Sequence, residues 1–406
     1  MIIRARTVVP VASEPIENGA VVVAGNMITK VGRFDDLKNE HGDEVLDLGE
    51  QILLPGLINA HCHLDYTTLR GRISRQQTFT NWIRAINSLK ATLNDDDYLA
   101  GIAQGFAEAE SFGTTTLVNL EAFPELLPRL QTPRLRTWWC AEMIDVRESV
   151  SPQKISQELE NWFHSRAENL GAIGLAPHAL YTASQKLFSD SAEVARSQDL
   201  LLTAHLSESG EEMEMFRDAS GPLFEFLRSI NRPMDDCGRA TPIATLLSRQ
   251  EIDQRWIIAH LNEITENDFE LLAQAPRFQI AHCPSSHSFF GHSSFAMQRL
   301  RKLGFNICLG TDSLASNSSL SLFSEMRCLL QKDSSVSARE ALEMATINGA
   351  RALSRKNSLG RISVGFLADL IAIPGTGFGN DVFEAIVAFE GKIDWMMVSG
   401  RPFAQV

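Results

Sequence analysis

His61 and His63 stand two residues apart at the end of an apolar run that begins at Ile52. Along an extended strand, residues i and i+2 face the same side, so both imidazoles can reach one point. Two neutral imidazoles at ~2.1 Å from a common centre are half of a tetrahedral metal site. A lone His-x-His is a weak signal, because two histidines so spaced often occur by chance. Further donors strengthen it. His178, His205, His260 and His282 each follow a later apolar run, and Asp312 follows the last. The chain has only 10 histidines, so six at such ends is no scatter.

Donors on separate strands converge only if those strands lie side by side. The runs at 52–58, 114–118, 135–139, 173–176, 200–204, 256–259, 278–281 and 306–309 read as strands, with amphipathic helices between them. One helix is capped by Asn94 and opened by Asp95, Asp96 and Asp97, acidic residues that suit the positive end of the helix dipole. Eight strands alternating with helices predict an α/β fold, the (β/α)8 TIM barrel, whose catalytic groups sit at the carboxyl ends of its strands. The barrel is expected over 56–355. Residues 1–55 and 356–406 read instead as short strands, with turns at Glu17-Asn18-Gly19 and Gly25-Asn26 near the start. Neither end is apolar enough to stand alone, so the two are expected to combine into a small β-sandwich.

The 406 residues carry a formal charge of −13 and no basic run, which argues against a nucleic-acid or anionic-membrane surface. No apolar stretch reaches the ~20 residues of a membrane helix, and the N-terminus lacks the pattern of a signal peptide. The six cysteines are scattered without a Cys-x-x-Cys pair. That suits reduced thiols in a cytoplasmic enzyme. The expected partner is a small-molecule substrate; the acidic surface and outer helices are compatible with a homodimer.

The motifs Pro55-Gly56-Leu57-Ile58-Asn59-Ala60-His61-Cys62-His63, Ala176-Pro177-His178-Ala179-Leu180-Tyr181-Thr182, His205-Leu206-Ser207-Glu208, Ala259-His260, His282-Cys283-Pro284-Ser285-Ser286 and Leu309-Gly310-Thr311-Asp312-Ser313-Leu314-Ala315-Ser316-Asn317 resemble the amidohydrolase superfamily. Within it they are similar to the deaminase and chlorohydrolase branch. The resemblance covers essentially the whole chain, including the returning segment 359–370. It implies that His61, His63, His205 and Asp312 hold one divalent metal ion, Zn2+ or Fe2+. The binuclear members use a lysine on the fourth strand, and this chain has none between Gly171 and Ala176. A bound metal lowers the pKa of water from 15.7 toward ~7.

The resemblance further implies hydrolytic deamination of an aromatic N-heterocycle with release of ammonia. Glu208 would carry a proton to a ring nitrogen, His260 would orient the attacking water, and Asp312 would relay a proton to the leaving amine. His178, Asp65, Glu142 and His282 would contact substrate. The implied substrate is an adenosine-like nucleoside of the aminodeoxyfutalosine, adenosylhomocysteine or methylthioadenosine type. The rivals are a triazine-type chloro- or aminohydrolase, a guanine-like deaminase, and a scaffold protein that has kept the fold without the reaction. Leu64-Asp65 follows one deaminase subfamily and Thr68-Leu69-Arg70-Gly71 another, while His287 and His292 depart from the family pattern. Phe79 and Trp82 could close over an aromatic ring, but their amphipathic spacing assigns them to the core.

Overall fold

The computed structural model describes residues 1–38, 44–375, 379 and 381–404. Eight parallel strands follow one another in chain order: β1 (Leu57–His63), β2 (Thr114–Glu121), β3 (Arg136–Met143), β4 (Gly171–Pro177), β5 (Leu201–Leu206), β6 (Trp256–His260), β7 (Gln279–His282) and β8 (Asn306–Leu309). The chain then turns, and Asp312–Ser313 pairs in parallel with Cys62 and His63 of β1. That extension closes the sheet into a barrel. Helices return between the strands, as an α/β alternation requires. All eight residues of β2 are buried, as expected of parallel strands covered on both faces.

Both chain ends meet in a second, mostly antiparallel sheet. Its strands run in the order Arg401–Ala404, Trp395–Val398, Leu370–Pro374, Gln51–Pro55, Ile2–Val8, Ile16–Ala24 and Met27–Arg33, with Val45–Asp47 paired to Ile2–Val8. The hairpin turn at Gly25-Asn26 falls where its residues predict it, with Gly25 at φ +61. A buried ion pair joins this sheet to the barrel: Arg136 Nε and Nη2 on β3 donate to Asp369 at 3.1 and 3.2 Å.

The run at 52–58 is not one strand. Gln51–Pro55 belongs to the end sheet and Leu57–His63 to the barrel, and the chain changes sheet at Gly56. Gly56 N–H donates to Asp369 O at 2.9 Å, and a Cβ here would stand 2.1 Å from the side chain of Thr115. Apolarity runs unbroken through the junction because both sheets bury it. His61 and His63 therefore lie within β1, not beyond its end. Strands β2 and β3 likewise run further than their apolar cores, to Glu121 and Met143. The added residues include Asn119 and Glu121 on β2 and Glu142 on β3, the last of which lines the cavity at the barrel mouth.

Candidate metal centre and active-site cavity

Four strands deliver the cluster. His61 and His63 lie on β1, His205 on β5, His260 at the end of β6 and Asp312 in the extension of β8. His205 donates its Nδ1–H to the carbonyl of His178 at 2.9 Å, because a carbonyl can only accept. Its Nε2 thus carries a lone pair, and that atom is 3.3 Å from His63 Nε2. Asp312 Oδ1 is 3.8 Å from both His61 Nε2 and His63 Nε2. Donor atoms held ~2.1 Å from a tetrahedral centre stand about 3.4 Å from one another. The observed separations bracket that value. Both ring nitrogens of His61 and Nδ1 of His63 are buried with no hydrogen-bond partner among the described residues. Buried polar atoms require a partner, and a cation among these donors supplies one. Three imidazoles and a carboxylate fit Zn2+ or Fe2+.

Electrostatics favours the same use. Burial, then the neighbouring His205, His63, His260 and His178, holds His61 well below the usual histidine range. Burial above all takes His63 and His260 down to about 3. Burial thus favours the neutral form of His61, His63 and His260, whose lone pairs are then available. Burial pushes the Asp312 carboxyl up, but His260, His63 and the hydroxyl of Ser286 outweigh it, so it is held below its usual value. Ser286 Oγ donates to Asp312 Oδ2 at 2.6 Å and Ser316 Oγ at 3.1 Å. His260 and Asp312 adopt φ of 72 and 58, left-handed values that cost a non-glycine residue roughly 1–2 kcal/mol. Such strain concentrates at functional sites. Asn59 fixes the approach of β8 to β1, accepting from His61 N and Thr311 N at 3.3 and 3.2 Å while donating to Thr311 Oγ1 at 2.8 Å.

Glu208 follows β5 and faces the cluster, with Oε1 3.7 Å from His260 Nε2. Glu212 clamps its main chain, accepting from Ser207 N at 3.1 Å and Glu208 N at 2.8 Å. Asn262 Nδ2 donates to Glu208 O at 3.0 Å. Burial, then Asp312 and Glu212, raises the Glu208 carboxyl well above its usual value. Burial thus favours its protonated form, the form that can donate a proton.

A cavity of about 150 Å³ opens over this cluster, lined by His63, His205, Glu208, His260 and Asp312 together with His178 and Glu142. Thr182 Oγ1 gives its proton to Ala179 O at 3.3 Å. It must then accept from His178 Nδ1–H at 2.6 Å, which leaves His178 Nε2 as an acceptor. Glu142 Oε1 is 3.7 Å from His63 Nδ1. The other two expected substrate contacts do not line the cavity. Asp65 is fully buried, accepts from Ala122 N at 3.3 Å and, through burial and then Glu142, is raised to about 7. His282 is stacked on Phe295 at 4.0 Å between ring centres.

Tyr66, Ile86, Lys90 and Tyr181, which no strand-end pattern marks, also line the cavity. Lys90 Nζ donates to Tyr66 Oη at 2.6 Å. Phe79 and Trp82, assigned to the core from sequence, line it too. Their shared helical face (79, 82, 83, 86, 90) was visible as amphipathic spacing. That pattern does not say whether the face meets a core or a cavity.

The Amidohydrolase family profile matches residues 52–402. A 5'-deoxyadenosine deaminase of Methanosphaera stadtmanae is 28% identical over 376 residues, covering 89% of this chain and 83% of its own length. A 5-methylthioadenosine/S-adenosylhomocysteine deaminase of Pyrococcus horikoshii is 29% identical over 403 residues, covering 94% of this chain and 89% of its own. Among solved structures, an adenosine deaminase from Xanthomonas campestris with bound zinc is similar in fold, with a TM-score of 0.82 and 24% identity over 99% of this chain and 92% of that one.

Proposed function

The chain belongs to the amidohydrolase family, and from that premise we propose that it is a metal-dependent hydrolase that deaminates an adenosine-like nucleoside. Its relatives are deaminases of 5'-deoxyadenosine and of methylthioadenosine or adenosylhomocysteine. One observation carries the reading: the buried Glu208 carboxyl, pushed well up by burial, stands 3.7 Å from His260 beside three imidazoles and a carboxylate whose donor atoms lie 3.3 to 3.8 Å apart. His61, His63, His205 and Asp312 would hold one divalent ion, with Zn2+ first among the candidates. Such an ion, when bound, supplies Lewis-acid polarisation of a water.

The residues do the rest. Glu208 gives its carboxyl proton to a ring nitrogen beside the amino-bearing carbon, which makes that carbon electrophilic. His260, 3.7 Å from Glu208, orients the attacking water. Asp312, ionised and steadied by Ser286 and Ser316, accepts a proton and passes it to the departing amine. His178 Nε2 accepts a hydrogen bond from the substrate, and Glu142 can accept another. Phe79 and Trp82 stack with ring centres 6.0 Å apart and give the base an aromatic wall. The six cysteines are all free thiols, which supports a cytoplasmic setting. No helix among the described residues is long and apolar enough to cross a membrane.

The test is ammonia release from a panel of 5'-substituted adenosines by the zinc-loaded protein. Turnover of at least one member is expected. Silence across the panel, with turnover of a chlorotriazine or of guanine, would transfer the site to another leaving group or ring.

A further inference from the structure

The aromatic wall of the cavity is one face of the helix Phe79–Lys90, from which Phe79, Trp82, Ile83, Ile86 and Lys90 line the space. The first N–H groups of a helix have no partner within it. Here Thr78 Oγ1 accepts from Asn81 N at 3.1 Å. The two N–H groups before it are taken by a residue from elsewhere in the chain. Glu211 Oε1 accepts from Phe79 N at 2.7 Å, and Oε2 accepts from Thr80 N at 3.0 Å and from the Thr80 hydroxyl.

Glu211 opens the helix Gly210–Asp218, three residues beyond Glu208. Its neighbour Glu212 holds the backbone N–H groups of Ser207 and Glu208. One helical turn therefore grips two things at once: the loop that carries the proton-donating acid, and the helix that forms the substrate's wall. Glu211 itself does not line the cavity. A carboxylate at a helix N-terminus is electrostatically favoured, and a bidentate one also fixes direction.

We propose that Glu211 is a positioning residue, setting the Phe79–Trp82 wall in register with Glu208 so that the bound ring meets the acid. The proposal rests on the deaminase reading for the role of Glu208, but the dependence of the wall on Glu211 holds for any ring bound there. A glutamine at this position keeps one acceptor and turns its amide N–H groups toward donors, so the clamp loses half its grip. Substrate binding is then less pre-organised.

The experiment compares zinc-loaded wild type, Glu211→Gln and Glu211→Asp with 5'-methylthioadenosine. Glu211→Gln should raise KM about tenfold while kcat falls less than about threefold, and amides of residues 79–86 should exchange faster. Glu211→Asp, which keeps the carboxylate, should recover part of the KM. Should Glu211→Gln fail to fold, Thr80→Val removes only the hydroxyl donor and should move KM the same way by less. Ser337→Ala, which removes the cap of the distant helix Ala338–Met344, should lower thermal stability with no change in KM. A Glu211→Gln protein that loses thermal stability but keeps its KM would reduce Glu211 to an ordinary cap and overturn the proposal. If Glu208→Gln keeps its turnover, the acid's role fails while the KM effect of Glu211 stands. If wild type turns over no adenosine derivative, the reaction reading fails. Unchanged adenosine affinity of Glu211→Gln in calorimetry would then sink the positioning role, and weakened affinity would sustain it.

Discussion

Glu208 Oε1 lies 3.7 Å from His260 Nε2, yet the two do not form an ion pair. Burial moves them in opposite directions, the carboxyl well up and the imidazole down to about 3. Burial thus favours the protonated carboxyl and the neutral imidazole side by side in the lining of the cavity where a substrate ring would sit. Such opposed shifts mark acid and base roles.

The Glu208 proton sets the alkaline side of the pH profile. A raised pKa means that the protonated form is present below it and is lost as pH rises through it. kcat/KM should therefore fall on the alkaline side as Glu208 ionises. Glu208→Gln should lower kcat by about 10²–10⁴ with metal content unchanged, and its alkaline limb should vanish. Because the unfolded chain ionises Glu208 at its ordinary value while the folded chain keeps the proton, stability also falls as pH rises from the ordinary carboxylate range up to the raised value. The same variant should accordingly gain thermal stability over wild type at alkaline pH, and equal stability there would contradict the burial of that proton.

Metal removal tests the donor set. Dialysis against a chelator should abolish turnover and lower the unfolding temperature, because binding to the native state stabilises it. Added Zn2+ or Fe2+ should restore both. His205→Ala should lose metal in elemental analysis, since it deletes a lone pair 3.3 Å from His63 Nε2. Retention of a full equivalent of metal would exclude His205 from the site.

Thr182 fixes the tautomer of His178 by accepting its Nδ1–H at 2.6 Å. Thr182→Val removes that acceptor, and the ring is then free to present Nε2–H to the cavity. KM should rise by about 10–100-fold, the scale at which an orienting partner of an active-site histidine acts, with metal content unchanged. An unaltered KM would remove His178 Nε2 from the substrate contacts.

Gly56 is where the chain leaves one sheet for the other. Gly56→Ala would place a methyl 2.1 Å from the Thr115 side chain. Overpacking of this kind costs about 1–3 kcal/mol. Chemical denaturation should show that loss, and Gly56→Ala with Thr115→Ser should recover part of it.

Much of the site was legible because strand period and residue type are local facts. His61 and His63 share a face by the period of two, and His178, His205, His260 and Asp312 follow apolar runs whose only common destination is a barrel mouth. Apolarity alone could not mark the change of sheet at Gly56, because both sheets bury their strands. Nor could it tell His178, which lines the cavity, from His282, which stacks on Phe295. In the sequence both simply follow an apolar run.

The sequence by itself determined the kind of donors, their number and the architecture that would gather them. Only the tertiary structure decided which strand-end groups converge, which ring nitrogen carries the lone pair, and which helix face becomes a wall. The reason is physical. Side-chain type and period are written along the chain, whereas a tautomer depends on the neighbour across the sheet, as at His205 Nδ1 and His178 O. The wall depends likewise on a clamp from another loop, where Glu211 meets Phe79 and Thr80.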